Sequence, residues 1–222
     1  MARVIFDLDG TLVHSAPSLA SASNALLAEL GRSPLSLETV IGFVGNGAPK
    51  LVERVLQISG GIPQGGFAAS LDRFKEIYFA DPLKETVAFP FAQEALNAIS
   101  RNGHGLGVCT QKPNAPGLEV LHALDMMPPI TAFTGGDSLD VLKPDPAMLR
   151  HTAAQLPDGP IVFVGDSKTD AETAKAAGVP FLLHANGYAN EPLESLAAAA
   201  IFDNFQDLPG LVKDVLAQRA TG

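Results

Sequence analysis

The chain has 222 residues, enough for one large domain or for a main domain that carries a smaller one. Hydrophobic residues make up 46% and charged residues 18%, which is typical of a folded globular protein and excludes a disordered one. The 15 basic and 24 acidic residues give a formal net charge of −9, which argues against nucleic acid or an anionic membrane surface as a partner.

The first half of the chain is predicted to be mostly helical. An apolar run, Arg3–Leu8, predicts a fully buried parallel strand because its hydrophobicity is continuous. Apolar spacing then predicts four helices, and glycine-rich breaks at 45–47 and 60–66 separate the later ones. These helices are Pro17–Leu30, Leu37–Val44, Pro49–Ile58 and Phe67–Phe79. No strand is predicted between Ala16 and Leu83, so we expect an all-helical insertion after the first strand.

From residue 86 onward, predicted strands and helices alternate. This order is typical of an α/β fold with a Rossmann-like, doubly wound parallel sheet, whose ligands bind at the carboxyl ends of the strands. We predict a core of residues 1–14 and 86–222 and an inserted helical cap of residues 15–85. The predicted strands are Leu106–Thr110, Ile130–Thr134, Ile161–Gly165, Phe181–His184 and Ala200–Phe202, and the predicted helices are Ala92–Arg101, Ala115–Leu124, Ala147–Gln155, Ala171–Ala177 and Leu208–Gln218.

Residues able to do chemistry follow the strands of this predicted sheet. Because the carboxyl ends of parallel strands meet at one edge, we expect these residues to lie together. They are Asp7, Asp9, Thr110, Lys143, Asp166 and Asp170. Asp7 and Asp9 are two residues apart in an extended segment, so their carboxylates face the same side and repel each other. Mg²⁺ prefers such oxygen-rich acidic clusters and binds there together with a substrate phosphate.

Lys143 supports a phosphate at this edge. Pro144 and Pro146 favour a helix start, and helix N-termini carry a partial positive charge. A lysine beside such an end is unfavourable unless an anion lies between them. A phosphate would satisfy the lysine, the helix end, the Thr110 hydroxyl and the metal together, so we predict a small phosphorylated metabolite as the ligand.

Each of these residues, taken alone, also has a structural interpretation. Lys143 is compatible with an exposed loop, and Thr110 with a hydroxyl that caps the following helix. Asp166 and Asp170 are compatible with a turn residue and an N-cap. The site is favoured because all of these groups fall at carboxyl ends of strands in one sheet.

Cys109 is the single cysteine, so the chain cannot form an internal disulfide, which fits a reducing compartment. A small buried strand residue is the favoured interpretation of its role. The sequence shows no charged leader with a following hydrophobic segment and no run long enough to span a bilayer. We therefore expect a cytoplasmic protein.

The motifs together resemble the haloacid dehalogenase superfamily of phosphohydrolases. They are Asp7-Leu-Asp9-Gly-Thr11, the hydroxyl of Thr110 after the second strand, Lys143-Pro144, and Gly165-Asp-Ser-Lys-Thr-Asp170. The resemblance covers essentially the whole chain, including a helical cap inserted after the first motif. Within the superfamily, Ser15–Leu19 and Val44–Leu56 are similar to segments of the phosphoglycolate phosphatases.

The resemblance implies the roles of the acidic residues. Asp7 would be the nucleophile that forms an aspartyl-phosphate, and Asp9 the general acid and then the base. Mg²⁺ would be bound by the side chains of Asp7 and Asp166 and by the backbone carbonyl of Asp9. Asp170 and Ser167 would lie just outside these ligands, with Asp170 orienting a lysine or metal-bound water.

The resemblance also implies the ligands of the phosphate and the reaction. Thr110, the amide of Gln111 and Lys143 would hold the phosphoryl oxygens. The expected activity is Mg²⁺-dependent hydrolysis of a small phosphomonoester, 2-phosphoglycolate above all. An acid at Asp9 favours phosphoryl over dehalogenase chemistry, because a departing halide needs no proton. A sugar-phosphate phosphatase, a phosphomutase and a catalytically idle phosphate-binding protein remain as alternatives.

Two positions depart from the family pattern, and two cap residues are further candidates. His14 replaces a common aspartate, and both a hinge residue and a substrate-touching imidazole are compatible with it. Gln111 replaces an asparagine and reaches one methylene further toward the substrate. Lys50 and Arg54 lie four residues apart on one helical face and could neutralise a substrate carboxylate. A solvated basic face is the alternative for this pair.

Overall fold

The computed structural model describes residues 1–220. The strands, in chain order, are β1 (Arg3–Phe6), β2 (Val13–His14), β3 (Val87–Ala88), β4 (Gly105–Cys109), β5 (Ile130–Thr134), β6 (Ile161–Gly165), β7 (Phe181–His184) and β8 (Ala200–Phe202). Within the described residues, six strands form one parallel sheet in the order β5-β4-β1-β6-β7-β8. The α/β fold class predicted from the sequence is confirmed.

Three of the four residues of the central strand β1 are apolar because both faces of the sheet are covered. Val4 and Phe6 point to one face and Ile5 to the other, and none of the three is exposed to solvent. Helices of the core pack on both faces. These are α5 (Ala92–Arg101), α6 (Asn114–Ala123) and α9 (Leu208–Ala220) on one face, and α7 (Ala147–Ala154) and α8 (Lys168–Ala177) on the other.

The helical block has a hydrophobic cluster of its own. Its helices are α1 (Ala16–Glu29), α2 (Leu37–Ile41), α3 (Gly47–Ile58) and α4 (Gly66–Phe79). Leu27, Val52, Leu56 and Phe74 are fully buried at its centre. The chain enters the block after β2 and returns through β3, and the two strands form a short antiparallel ribbon. We call this block the cap; the predicted boundaries at residues 15 and 85 stay a prediction.

The structure adds the short strands β2 and β3 to the predicted elements and moves the bounds of several others. The first strand ends at Phe6 rather than Leu8, because the chain turns there and the amides of Leu12 and Val13 donate to the Leu8 carbonyl. The second helix ends at Ile41, since Gly42 follows. The helix expected from Ala171 begins at Lys168. Among the described helices, none has both the length and the hydrophobicity that crossing a bilayer requires.

Candidate active site

Three acidic residues meet at the carboxyl edge of the sheet. Asp7 follows β1, Asp166 follows β6, and Asp170 lies in the first turn of α8. One carboxylate oxygen from each lies within 4.8 Å of the others. The structure therefore brings these three acids together from distant parts of the chain, as the sequence predicts.

Asp166 is held by hydrogen bonds and by close glycine backbones. Its Oδ1 accepts from the Thr11 hydroxyl at 2.8 Å, and its Oδ2 accepts from the Tyr188 amide at 2.7 Å. A Cβ added at Gly10 would lie 2.3 Å from Asp166 Oδ2, and one added at Gly187 would lie 2.2 Å from Asp166 Cβ. Neither glycine leaves room for a side chain, because its backbone packs directly against Asp166 and holds the carboxylate in position.

This packing makes Gly187→Ala a test of how tightly Asp166 is held. The new methyl group must displace Asp166, so we expect a loss of about 1–3 kcal/mol in the free energy of unfolding, measured by urea denaturation. Gly210→Ala is the matched control, because nothing lies within 4 Å of a Cβ there. In the helix α9 that change should leave stability unchanged or raise it by up to about 1 kcal/mol. Equal stability of the two variants would contradict the prediction.

Lys143 lies between Asp7 and Asp170. Its Nζ donates to Asp170 Oδ1 at 2.7 Å and lies 3.0 Å from Asp7 Oδ1, and 2% of its side chain is exposed. The other oxygen of Asp170 accepts from the Ser167 hydroxyl at 2.6 Å and from the Ser167 amide at 3.2 Å. Asp170 and Ser167 also form the capping box of α8. Asp170 thus uses both oxygens to hold Lys143 and the loop.

The electrostatics of the cluster show an excess of negative charge. Burial raises the pKa of Asp7 to about 7, although Lys143 opposes the shift. Burial and the neighbouring Asp170 raise the pKa of Asp166 well above its usual range. Burial lowers the pKa of Lys143, but Asp170 and Asp7 more than offset this, so its pKa lies above the ordinary lysine value. A cation placed beside Asp7 and Asp166 would stabilise their ionised forms.

The donor set fits a magnesium ion. Asp7 Oδ1 is buried, and no described residue donates a well-aligned hydrogen bond to it, although Lys143 Nζ is close. The Lys143 ammonium compensates part of the negative charge around this oxygen, and a divalent cation would compensate the rest. Asp7 and Asp166 supply the hard oxygen ligands that Mg²⁺ prefers. The predicted contribution of the Asp9 backbone carbonyl stays a prediction.

The Asp9 side chain faces a second lysine. Lys112 Nζ lies 3.2 Å from Asp9 Oδ1 and donates to the hydroxyl of Tyr78, which comes from the cap helix α4. The side chain of Lys112 is 2% exposed and that of Asp9 is 18% exposed. Burial lowers the pKa of Lys112, but Asp9 and Tyr78 raise it by more, so its ammonium group stays protonated. Burial raises the pKa of Tyr78 to about 12, which keeps its hydroxyl neutral.

Thr110 and Gln111 lie at the end of β4, where the sequence predicted substrate contacts. Thr110 is buried, and its hydroxyl accepts a hydrogen bond from the Lys112 amide at 3.2 Å, which fixes the turn after the strand. Gln111 Nε2 donates to the Gly45 carbonyl of the cap at 3.3 Å. The longer amide of Gln111 therefore connects the core to the glycine-rich cap loop.

A small cavity of about 70 Å³ lies between these groups and the cap. The core contributes Asp7, Asp9, Thr110, Gln111, Lys112 and Lys143 to its wall. The cap contributes mainly apolar side chains, among them Leu19, Leu51 and Phe79. A ligand here would place one end against the acids and lysines and the other against an apolar surface.

The structure does not bring Lys50 and Arg54 into this cavity. Lys50 is half exposed and pairs with Glu53 at 2.5 Å. Arg54 donates to the Phe43 carbonyl at 3.0 Å and to Asn46 Oδ1 at 3.2 Å. The reason is the orientation of α3, which presents other side chains to the cavity. The expected contact of these two residues with a substrate carboxylate has no support in this arrangement.

His14 lies at the entrance to the cap and outside the cavity wall. Its Nδ1 is 3.1 Å from the Tyr188 hydroxyl, which accepts hydrogen bonds from the amides of Ser15 and Ala16, each at 2.9 Å. Burial lowers the pKa of His14. Since the Tyr188 amide also holds Asp166, this tyrosine connects the start of the cap to the acidic cluster.

Comparison with known proteins agrees with this geometry. The haloacid dehalogenase-like hydrolase family matches residues 4–184. The chain belongs to this family. Among its relatives, a phosphoglycolate phosphatase from Cereibacter sphaeroides is 43% identical over 218 residues, which cover 98% of this chain and 100% of the relative. One from Rhodospirillum rubrum is 44% identical over 212 residues, 92% of this chain and 88% of the relative.

A solved structure is also similar to this chain in its fold. The crystal structure of a predicted phosphoglycolate phosphatase from Haemophilus somnus 129pt has a TM-score of 0.86 and 29% identity, and it covers 94% of this chain and 96% of that chain. The family match and these relatives confirm the predictions of the superfamily and of a phosphoric monoester hydrolase.

Sequence reasoning missed three residues of this haloacid dehalogenase-like site. Lys112 lies two positions after Thr110 at the same strand end, and that position was the available signal for it. Tyr78 and Tyr188 are the only tyrosines of the chain, and both reach the site. No local pattern reveals this, because their partners lie far away in sequence.

Proposed function

We propose that this hydrolase is a Mg²⁺-dependent phosphatase that converts 2-phosphoglycolate to glycolate and phosphate. The observation that carries the proposal is the placement of a buried Asp7 beside Lys143 and close to Asp166 and Asp170, at the wall of a small cavity. Relatives that match nearly the full length of this chain are named phosphoglycolate phosphatase, and their names support this substrate.

The first half of the reaction uses Asp7 and Asp9. A carboxylate oxygen of Asp7 attacks phosphorus, the bond from phosphorus to the ester oxygen breaks, and an aspartyl-phosphate forms. Asp9 gives its proton to the departing alkoxide, so glycolate leaves with a hydroxyl group. In the second half, Asp9 accepts a proton from a water molecule that attacks phosphorus. The bond to Asp7 then breaks and phosphate leaves.

The remaining residues hold the phosphoryl group during both steps. Lys143 is already fixed by Asp170, so its ammonium group is preorganised to stabilise charge on the phosphoryl oxygens. Thr110 and the following amide lie at the same cavity wall. Mg²⁺, held by Asp7 and Asp166, would neutralise phosphate charge and help to orient the phosphoryl group for attack.

Cation binding also follows from the charge balance of the site. Four carboxylates face two ammonium groups, so two negative charges are uncompensated when all six groups are ionised. The six groups are Asp7, Asp9, Asp166, Asp170, Lys112 and Lys143. One divalent cation restores neutrality, and it therefore favours the ionised Asp7 that the attack requires.

The size of the cavity separates the candidate substrates. About 70 Å³ is well below the volume of roughly 300–1,000 Å³ that is typical of sites for larger ligands. A two-carbon acid suits this space better than a sugar phosphate, which would need the cap to move away. The presence of both Asp7 and Asp9 argues against an idle phosphate-binding protein. We also propose, from the net charge of −9, that neither nucleic acid nor a membrane surface is the partner.

Removal of the metal tests the proposal directly. Phosphate release from 2-phosphoglycolate should fall at least about 100-fold after dialysis against EDTA and return when Mg²⁺ is added. A second readout is the melting temperature, which should rise with Mg²⁺ because the ion binds the folded acidic cluster. Activity that survives EDTA unchanged would contradict metal dependence. Analysis of the organic product separates a phosphatase from a mutase, which would release little phosphate.

A further inference from the structure

Lys112 is a buried cation in the wall of the cavity. It lines the cavity together with Asp9 and Tyr78, and its Nζ lies 4.4 Å from the centre of the Tyr78 ring. An ammonium group has three N–H donors. Among the described residues, its hydrogen-bond acceptors are Asp9 and the Tyr78 hydroxyl, which leaves one N–H for a ligand.

The position of Lys112 is fixed by the core and by the cap. In the core, the Thr110 hydroxyl accepts from the Lys112 amide, which sets the course of the chain after β4. In the cap, the Tyr78 hydroxyl and ring hold the end of the side chain. A long lysine side chain fixed at both ends loses little entropy when it binds a ligand, so it is preorganised for recognition.

The other lysine of the cavity has a different task. Lys143 is bound by Asp170 and Asp7, so it lies where phosphorus is attacked. Lys112 lies beside Asp9, the group that protonates the leaving oxygen, so it lies on the leaving-group side. The two ammonium groups therefore lie beside different acids, Lys143 beside Asp7 and Lys112 beside Asp9.

We propose that Lys112 recognises the carboxylate of the substrate and thereby selects phosphate esters of a small hydroxy acid, an inference that rests on the phosphatase function proposed above. In 2-phosphoglycolate the carboxyl carbon is two bonds from the ester oxygen. The ester oxygen must contact Asp9 to receive its proton, and Lys112 Nζ is 3.2 Å from Asp9 Oδ1. The carboxylate therefore comes within reach of the remaining N–H of Lys112.

The surroundings favour this assignment over the cap residues suggested by sequence. Leu19, Leu51 and Phe79 offer no charge to the organic part of a substrate. A charge-assisted hydrogen bond in such a partly apolar cavity is stronger than one at an exposed surface. Lys50 is half exposed and paired with Glu53, so it lacks this environment.

The test compares two esters that differ in the carboxylate, 2-phosphoglycolate and ethyl phosphate. We expect the kcat/KM of wild-type protein to be higher for 2-phosphoglycolate than for ethyl phosphate. In Lys112→Met, we expect the ratio of these two kcat/KM values to fall by about 10- to 100-fold. Methionine keeps an unbranched apolar side chain and removes the charge. Lys50→Met is the matched control and should keep the wild-type preference.

The outcomes separate recognition from other roles. Equal losses on both esters in Lys112→Met would overturn the inference and make Lys112 a residue that only positions Asp9. A wild-type protein that hydrolyses both esters equally well would also overturn it, while the proposed phosphatase function would stand. Absence of phosphate release from any ester by wild-type protein would overturn both.

A second variant covers the case in which Lys112→Met fails to fold, as judged by circular dichroism. Tyr78→Phe removes the hydroxyl that holds Lys112 and keeps the ring. We expect the preference for 2-phosphoglycolate to fall several-fold, through a higher KM for that ester with little change for ethyl phosphate. An unchanged preference in Tyr78→Phe would count against the inference.

Discussion

Replacement of Asp7 by asparagine is expected to lower kcat for 2-phosphoglycolate by on the order of 10⁴-fold, because the amide cannot attack phosphorus. The side chain keeps its shape, so the substrate should still bind. The measurement is phosphate release at saturating substrate with Mg²⁺ present. Asp72→Asn is the matched control, since Asp72 lies on the cap with a largely exposed side chain, and it should have wild-type activity.

The covalent intermediate gives the same prediction a second readout. Wild-type protein that is quenched with acid during turnover of labelled substrate should retain phosphate, and hydroxylamine should release it, as expected for an acyl phosphate. Asp7→Asn should retain none. Wild-type activity in Asp7→Asn, or labelling that persists in it, would show that another group is the nucleophile.

Loss of activity in Asp7→Asn should not come from unfolding. The raised pKa of Asp7, about 7 in the folded state against 3.8 ordinarily, means that the folded protein binds its proton more tightly than the unfolded chain does. Without metal, the contribution of Asp7 to stability therefore falls as the pH rises from about 4 to 7. Asparagine removes this cost, so the variant should be at least as stable as metal-free wild-type protein at pH 7.

Much of the core could be predicted from sequence because local patterns carry the information. The Val4-Ile5-Phe6 run is apolar at every position because both faces of β1 are covered. The acids could be predicted as a group because they lie just beyond the ends of β1 and β6, two strands of one parallel sheet. Strand β2 could not be predicted, since a two-residue ribbon is too short to show a hydrophobic period.

The cap side of the site depends on packing that no local pattern encodes. A spacing of four residues places Lys50 and Arg54 on one face of α3 but does not say which face meets the core. The contact between Tyr78 and Lys112 joins residues 34 positions apart, and Lys112 and Asp9 are 103 positions apart. Such pairs are set by how the cap docks on the core, which is a property of the tertiary structure.

Asp9→Asn should separate the two halves of the reaction. With 2-phosphoglycolate, whose alkoxide is a poor leaving group, we expect kcat to fall by on the order of 10³-fold because no acid protonates the ester oxygen. Asparagine retains an oxygen that can accept from Lys112, so the surrounding contacts should persist.

With acetyl phosphate, which is about as small as 2-phosphoglycolate, Asp9→Asn should behave differently. Its acetate leaves without a proton, so Asp7 should still be phosphorylated quickly, with a burst of one acetate per chain in a rapid-quench experiment. Turnover after the burst should be slow, because Asp9 is also the base that activates water for the second step. Equal losses on both substrates without a burst would mean that Asp9 supports the shape of the site and transfers no proton.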